Sequence, residues 1–308
     1  MMQIRLLAIG LVLFLTSCGG QGPTEEAASS SGPEAVKLSV YVVNYPLRYF
    51  AERIGGDRVT VHFPAPSEGD PAFWSPDPSN VAQYQAADLI LLNGADYAKW
   101  VPKVTLPPSK LVDTSESFND RIIYFEDATT HSHGPGGEHS HGESAFTTWL
   151  DFGLALEQAK SIRDALVKAR PEDERMFQER FQALESDLTG LNGQIEELVA
   201  GKTETPLVGS HPVYQYLARK YDLDIVSVHF EPDEAPDAKG WRELEHLLED
   251  HPAKWMLWEG EPLDETQAKL EELGVKSVVF DPCGNKPSEG DFLSRMKNNI
   301  ANLEKVLK

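Results

Sequence analysis

The chain has 308 residues, 41% of them apolar, and carries 28 basic against 49 acidic side chains for a formal net charge of −21. The apolar share and the length suit one large folded domain or two medium ones. A surface this acidic argues against nucleic acid and anionic lipid headgroups as partners, because both would be repelled.

Residues 1–17 read as a signal peptide. They hold one charge, Arg5, and then the apolar run 6–15, which is shorter than the ~20 residues needed to span a bilayer. Leu15-Thr16-Ser17-Cys18 resembles the lipobox of bacterial lipoproteins, which implies cleavage before Cys18 and lipidation of its thiol; the alternative is an ordinary leader with an incidental cysteine. Residues 18–35 are rich in Gly, Ser, Glu and Pro, too poor in apolar bulk to fold, and read as a flexible tether. The mature chain is thereby expected to be lipid-anchored on the extracytoplasmic, periplasmic face of a bacterial envelope. With Cys18 lipidated, Cys283 has no disulfide partner and is either a small buried group or a metal thiolate.

From residue 36 the pattern alternates strand and helix. Strands are expected at 36–43, 59–63 and 88–92, with weaker ones at 111–114 and 121–125, and helices at 46–54 and 81–87. Residues 149–170 are helical. Pro171 then opens a long helix whose apolar positions, Met176, Phe177, Phe181, Leu184, Leu188, Leu191, Ile195 and Leu198, recur at helical spacing until Gly201 stops it. Strands at 206–209, 225–229, 255–258 and 275–280 alternate with helices at 213–220, 238–249, 263–273 and 291–307. The expected fold is α/β: an N-terminal lobe over 36–150, linking helices over 151–202 and a C-terminal lobe over 203–308, each lobe a mostly parallel sheet flanked by helices. The alternation recurs in the second lobe without any repeat of residues.

Residues 131–142 read His-Ser-His-Gly-Pro-Gly-Gly-Glu-His-Ser-His-Gly. His131, His133, His139 and His141 form two His-x-His pairs around a turn that can bring them face to face. Such a tract is a metal-binding composition, since imidazole suits zinc, copper and nickel; the plainer alternative is a solvated polar loop. His62, His229, His246 and His251 have no partner at ligand spacing and read as ordinary surface or core residues. Trp74, Tyr84, Tyr97 and Trp100 read as core.

The order and spacing of Tyr45-Pro46, residues 54–59 (IGGDRV), Gly69-Asp70-Pro71, residues 76–79 (PDPS), residues 87–90 (ADLI), Asn93-Gly94, Trp149-Leu150-Asp151, His211 with Tyr216 and Tyr221, Glu261-Pro262 and Asp281-Pro282 are specific. On these the chain resembles the zinc/manganese-type solute-binding proteins of bacterial ABC transporters, over nearly all of 36–308. The resemblance implies two α/β lobes joined by one rigid helix, with a metal held in the cleft and handed to a membrane permease. It also implies four ligand positions, and two of them have changed. The histidine expected after Asp-Pro is Ala72, and the one expected two residues before Trp-Leu-Asp is Thr147; His211 and Asp281 keep the other two. One histidine and one carboxylate make a poor zinc site. Three ways to complete it stand open. Histidines of the loop replace those lost; Glu259 or Cys283 joins a different set; or the cleft takes a metal chelate or another small solute against Phe73, Trp74, Trp149 and Trp258. The expected cargo is zinc, with manganese possible. No His-Glu-x-x-His helix, nucleophile elbow or phosphate loop points to an enzyme. An adhesin or a periplasmic zinc buffer is the rival among binding proteins.

Overall fold

The computed structural model describes residues 36–125, 130–132, 138–140 and 144–308, with 130–132 and 138–140 given by backbone alone. The signal peptide, Cys18, the tether, His133 and His141 fall outside the described residues.

The first lobe begins with β1 (Leu38–Val42), whose Val40 and Val42 are fully buried. Asn44 ends it and caps α1 (Tyr45–Gly55), its side chain accepting from Leu47 N at 3.1 Å with Pro46 in the first turn. β2 (Val59–His62), α2 (Pro78–Ala86), β3 (Leu89–Leu92) and β4 (Leu111–Asp113) follow. A capping box between Asp77 and Asn80 starts α2, and Tyr84 Oη donates to Val42 O at 2.8 Å, fixing that helix on β1. The sheet is parallel, in the order β2-β1-β3-β4.

The strand expected at 121–125 is not formed. A 3-10 stretch at Glu116–Arg121 precedes it, and only a single bridge joins Tyr124 to Ser144. The apolar side chains Ile123 and Phe125 pack into a small cluster with Phe118, Ala145, Leu154 and Tyr216, so their burial is satisfied without the sheet. Short strands β5 (Thr130–Ser132) and β6 (Glu138–Ser140) pair antiparallel, with His131 directly across from His139.

α3 (Phe152–Ala169), capped by Asp151, meets α4 (Glu174–Val199) through a 3-10 turn at Pro171–Asp173. At 1.5 Å per residue the 26 residues of α4 span about 39 Å. Its buried stripe is Phe177, Phe181, Leu184, Leu188, Leu191, Ile195 and Val199, with Met176 and Leu198 half-buried at the margins. Arg53 to Asp187 at 2.7 Å and Arg180 to Gly55 O at 2.8 Å tie α4 to the first lobe; Tyr221 Oη to Asn192 at 3.1 Å ties it to the second.

The second lobe runs β7 (Leu207–Gly209), α5 (Gln215–Tyr221), β8 (Ile225–Ser227), α6 (Ala238–Asp250), β9 (Trp255–Trp258), α7 (Asp264–Glu272), β10 (Lys276–Val279) and α8 (Phe292–Val306). Its sheet is parallel, ordered β10-β9-β7-β8. Counted from its own first strand, each lobe therefore has the same order, second-first-third-fourth. Both carry a switch in strand order beside the first strand, the place where open α/β sheets gather ligands at their carboxyl ends. Trp149 Nε1 donates to Pro282 O at 2.7 Å and Tyr45 N to Gly284 O at 2.9 Å, joining the lobes along the base of the cleft between them.

Candidate metal site in the cleft

The cleft has a volume of about 380 Å³. Gly69, Asp70, Tyr97, Phe146 and Thr147 line it from one side, and Glu231, Asp233, Glu259, Asp281 and Asn285 from the other. A larger cavity, about 540 Å³, lies at the ends of β3 and β4. Among the described residues its lining has no histidine, and the Oδ1 of its Asp113 is already occupied by Ser115 N and Oγ at 2.9 and 2.8 Å.

His211 is the centre of the charged groups. It lies two residues beyond β7, where Ser210 N donates to Leu257 O at 2.8 Å and Val213 N closes a turn on His211 O at 2.8 Å. Gly209 must be glycine for this turn, because a Cβ would come within 2.7 Å of Ser227 Oγ and 2.9 Å of Tyr214. The ring is only 6% exposed. Its Nδ1 is 3.3 Å from Glu259 Oε1, and its Nε2 is 3.5 Å from Glu231 Oε1. Glu259 follows β9 directly and Glu231 lies in the loop after β8, so three neighbouring strands deliver the three side chains. The ring of exposed His229 stands edge-on to His211 at 5.7 Å, a contact that its isolated position in the sequence did not suggest.

The electrostatics favour a cation. Burial alone would lower the His211 pKa, but Glu259, then Glu231 and Asp70, raise it. Burial pushes Glu231 up to about 7, with Glu259, Asp233 and Asp70 adding repulsion against the pull of His211. Solvent-accessible Asp70 is raised as well, by the protein around it and by Glu259, although Ala72 N donates to it at 2.8 Å. A bound cation would favour the ionised form of both carboxylates.

Both raised groups give the metal-free protein the same slope against pH. A carboxyl raised in the folded state favours folding most below its ordinary value near 4.5, and that advantage is lost as pH climbs to about 7. A raised imidazole favours folding below about 6.5, and its advantage is lost as pH passes its folded value. Metal-stripped protein is therefore expected to melt at progressively lower temperature from pH 5 to pH 8, with Glu231 contributing on the order of 2 kcal/mol. Glu231→Gln should flatten that trend in thermal melts; an unchanged slope would place its source elsewhere.

Of the other site residues expected from the sequence, Asp281 lines the cleft, but its oxygens are engaged. Oδ1 accepts from Cys283 N at 2.7 Å, and Oδ2 pairs with Arg295 Nε at 3.2 Å. Its carboxyl is raised by burial against the lowering effects of Cys283 N and Arg295. Cys283 is 2% exposed, its thiol pushed up by burial, and it packs as an apolar group. Ala72 is fully buried. Thr147 has become a clasp, its hydroxyl donating across the lobes to Val213 O at 2.5 Å. Of the four aromatic residues expected to wall the cleft, Trp149 does so; Trp258 is in the core of the second lobe, and Phe146 lines the cleft instead. Among the described residues, no three His, Cys, Asp or Glu side chains converge closely enough to hold a metal as they stand.

Comparison with known proteins agrees with this architecture. The chain is 26% identical to the high-affinity zinc uptake system protein ZnuA of Bacillus subtilis (strain 168) over 322 residues, covering 98% of this chain and 97% of that one. It is 23% identical to the manganese ABC transporter substrate-binding lipoprotein scaA of Streptococcus gordonii, covering 100% and 99%. Its fold matches the metal-dependent lipoprotein YcdH of Bacillus subtilis with a TM-score of 0.75 at 23% identity, over 88% of this chain and 100% of that one. It matches the Zn(II)-bound ZnuA-like domain of Streptococcus pneumoniae AdcA equally well, with a TM-score of 0.75 at 22% identity, over 88% and 99%. The model of the periplasmic zinc-uptake complex component A family matches residues 40–306, and the chain belongs to that family.

Proposed function

We propose that this chain is a lipid-anchored, extracytoplasmic solute-binding protein that captures a divalent transition metal in its cleft and delivers it to an ABC permease. The observation that carries this reading is a buried imidazole held between two carboxylates at the carboxyl edge of a parallel sheet, facing a third carboxylate across the cleft. Zinc is the first candidate cargo, because imidazole and carboxylate together suit it; the high share of oxygen donors keeps manganese as the alternative. The chain works by capture and release, without a covalent step. Cys18 carries the lipid, and 18–35 is the tether that lets the folded part reach a permease in the cytoplasmic membrane.

The histidine-rich segment has a defined part in this reading. His131 and His139 oppose each other across the β5–β6 hairpin, and His133 and His141 continue the two pairs. Together they gather cations and contribute imidazole to the bound state in place of the ligands missing at Ala72 and Thr147. Deleting 131–142 should weaken zinc binding roughly tenfold or more in calorimetry, about 1.4 kcal/mol, while circular dichroism stays native. Unchanged affinity would take the segment out of the function and leave the cleft to act alone.

A further inference from the structure

The ring of Tyr97 is packed like a core residue, but its hydroxyl is not. A left-handed run, Gly94, Ala95 and Asp96 at φ 74°, 49° and 55°, turns the chain after β3, and Tyr97 N closes it on Gly94 O at 3.1 Å. Two of these three residues are not glycine, so the turn is held against backbone preference. It delivers a ring that Phe146 meets edge-on at 5.2 Å and Trp149 at 5.7 Å. Tyr97 is 2% exposed and lines the cleft, and its Oη has no hydrogen-bond partner among the described residues. The other deeply buried tyrosines behave as buried hydroxyls normally do. Tyr84 donates to Val42 O at 2.8 Å, Tyr214 to Phe280 O at 2.9 Å and Tyr216 to Ala145 O at 3.1 Å.

We infer that Tyr97 is a cargo-contacting residue: its hydroxyl donates to an oxygen that the metal keeps as it enters the cleft, either a bound water or an oxygen of a small chelator. This deepens the metal-carrier reading and rests on it.

The surroundings of the hydroxyl fit such an oxygen. Across from it is Gly284, also on the cleft wall, where a Cβ would stand 3.4 Å from Tyr97 Oη and 3.8 Å from the Trp149 ring. The absence of a side chain at Gly284 leaves the space in front of Oη open. Burial, and then the Asp70 carboxyl, hold the phenol well above its ordinary range, so near neutral pH it always has a proton to give. A metal-bound water complements this pair, offering a lone pair to Tyr97 and acidified protons to the Asp70 carboxylate. The size of the cleft agrees. A water takes ~30 Å³ of liquid volume, so about 380 Å³ has room for a cation that keeps several small ligands of its own. The arrangement also carries selectivity. Manganese is octahedral and oxygen-loving, and keeps more waters than tetrahedral zinc, so the hydroxyl favours manganese over zinc relative to a plain phenyl ring.

An unsatisfied buried hydroxyl costs the metal-free fold stability, and that gives the assignment a signature which a structural tyrosine would not share. The test uses Tyr97→Phe, Gly284→Ala and the double variant of the purified full chain. Manganese and zinc are titrated by calorimetry in chelator-free buffer and again as equimolar complexes with radiolabelled citrate, and metal-stripped protein is melted. Tyr97→Phe should weaken manganese binding about three- to tenfold and zinc binding by less, while its metal-stripped form melts at the parental temperature or above it. Gly284 lies outside the left-handed region, so alanine fits the backbone there. Its methyl group should crowd the same oxygen and cost a similar factor, and the double variant should lose little more than either single one. A loss in chelator-free buffer assigns the oxygen to water. A loss confined to the citrate arm, with citrate retained beside the metal, assigns it to a chelator.

Parental affinity of Tyr97→Phe in both arms overturns the assignment. So does a metal-stripped Tyr97→Phe that melts below the parent, which would mark the hydroxyl as structural. Fully additive losses in the double variant overturn the shared oxygen, and a greater loss for zinc than for manganese overturns the selectivity. A parent chain that takes up neither metal in either form overturns the carrier reading itself, a result distinct from these. If circular dichroism shows that Gly284→Ala does not fold, Tyr97→Phe carries the test alone.

Discussion

Replacing His211 with alanine is expected to have the largest effect on binding of any single substitution outside the core, lowering zinc affinity by a hundredfold or more, about 2.7 kcal/mol. The ring is the nitrogen donor the described cleft offers, and it also separates Glu231 from Glu259. Its removal leaves two partly buried carboxylates facing a void, with Asp70 adding to the negative potential. The metal-free variant should therefore be destabilised as well, by roughly 1–3 kcal/mol, the usual cost of leaving a buried charge without its partner. The two losses separate experimentally. Calorimetry with zinc reads the first, and urea denaturation of the chelator-treated protein reads the second. Parental zinc affinity in His211→Ala would remove the cleft from the mechanism.

The second large effect is expected at Trp149, on the wall of the same cleft. Its indole is 1% exposed, stacks edge-on with Tyr97 at 5.7 Å and donates to Pro282 O at 2.7 Å, so it packs the first lobe while holding the second. Trp149→Ala removes that volume and strands the Pro282 carbonyl. Large-to-small changes of this kind cost about 3–5 kcal/mol. In a chain of this size that corresponds to a fall in melting temperature on the order of 10 °C. Trp149→Phe keeps most of the packing and loses the hydrogen bond, so it should cost about 1–2 kcal/mol. Because the indole joins the walls of the cleft, Trp149→Ala should also weaken zinc binding below saturation of the folded state. A melt unchanged from the parent would show that the interlobe contact carries no stability.

The strands and helices were legible because burial leaves a period in the sequence. The stripe of α4 and the β-branched run of β1 could be read directly, and the structure places both within a residue or two of expectation. The segment at 121–125 misled because its apolar residues serve a side cluster, a purpose that alternation cannot distinguish from a strand edge. The site was half legible. His211 and Glu259 stand out beside strand ends. Glu231 did not, because it lies four residues beyond β8 in an acid-rich loop (EPDE), where one more carboxylate reads as a solvated charge. Asp70 was read only as part of the motif leading to Ala72, although its own carboxylate faces the cleft. His229 sits two residues before Glu231, and that spacing was the available clue. What a linear chain hides is which loops share one sheet edge.

That both sheets thread their strands in the same sequence has a consequence for how such a protein can change over time. The cleft is bounded by two crevices, one at the carboxyl end of each parallel sheet, above a hydrophobic core that runs through both lobes. Donor groups on the rims can be lost from one bank and gained on the other without that interior registering the exchange. A lineage can in this way trade imidazoles for acids, and so drift in what it prefers to carry, while its architecture stays as it was.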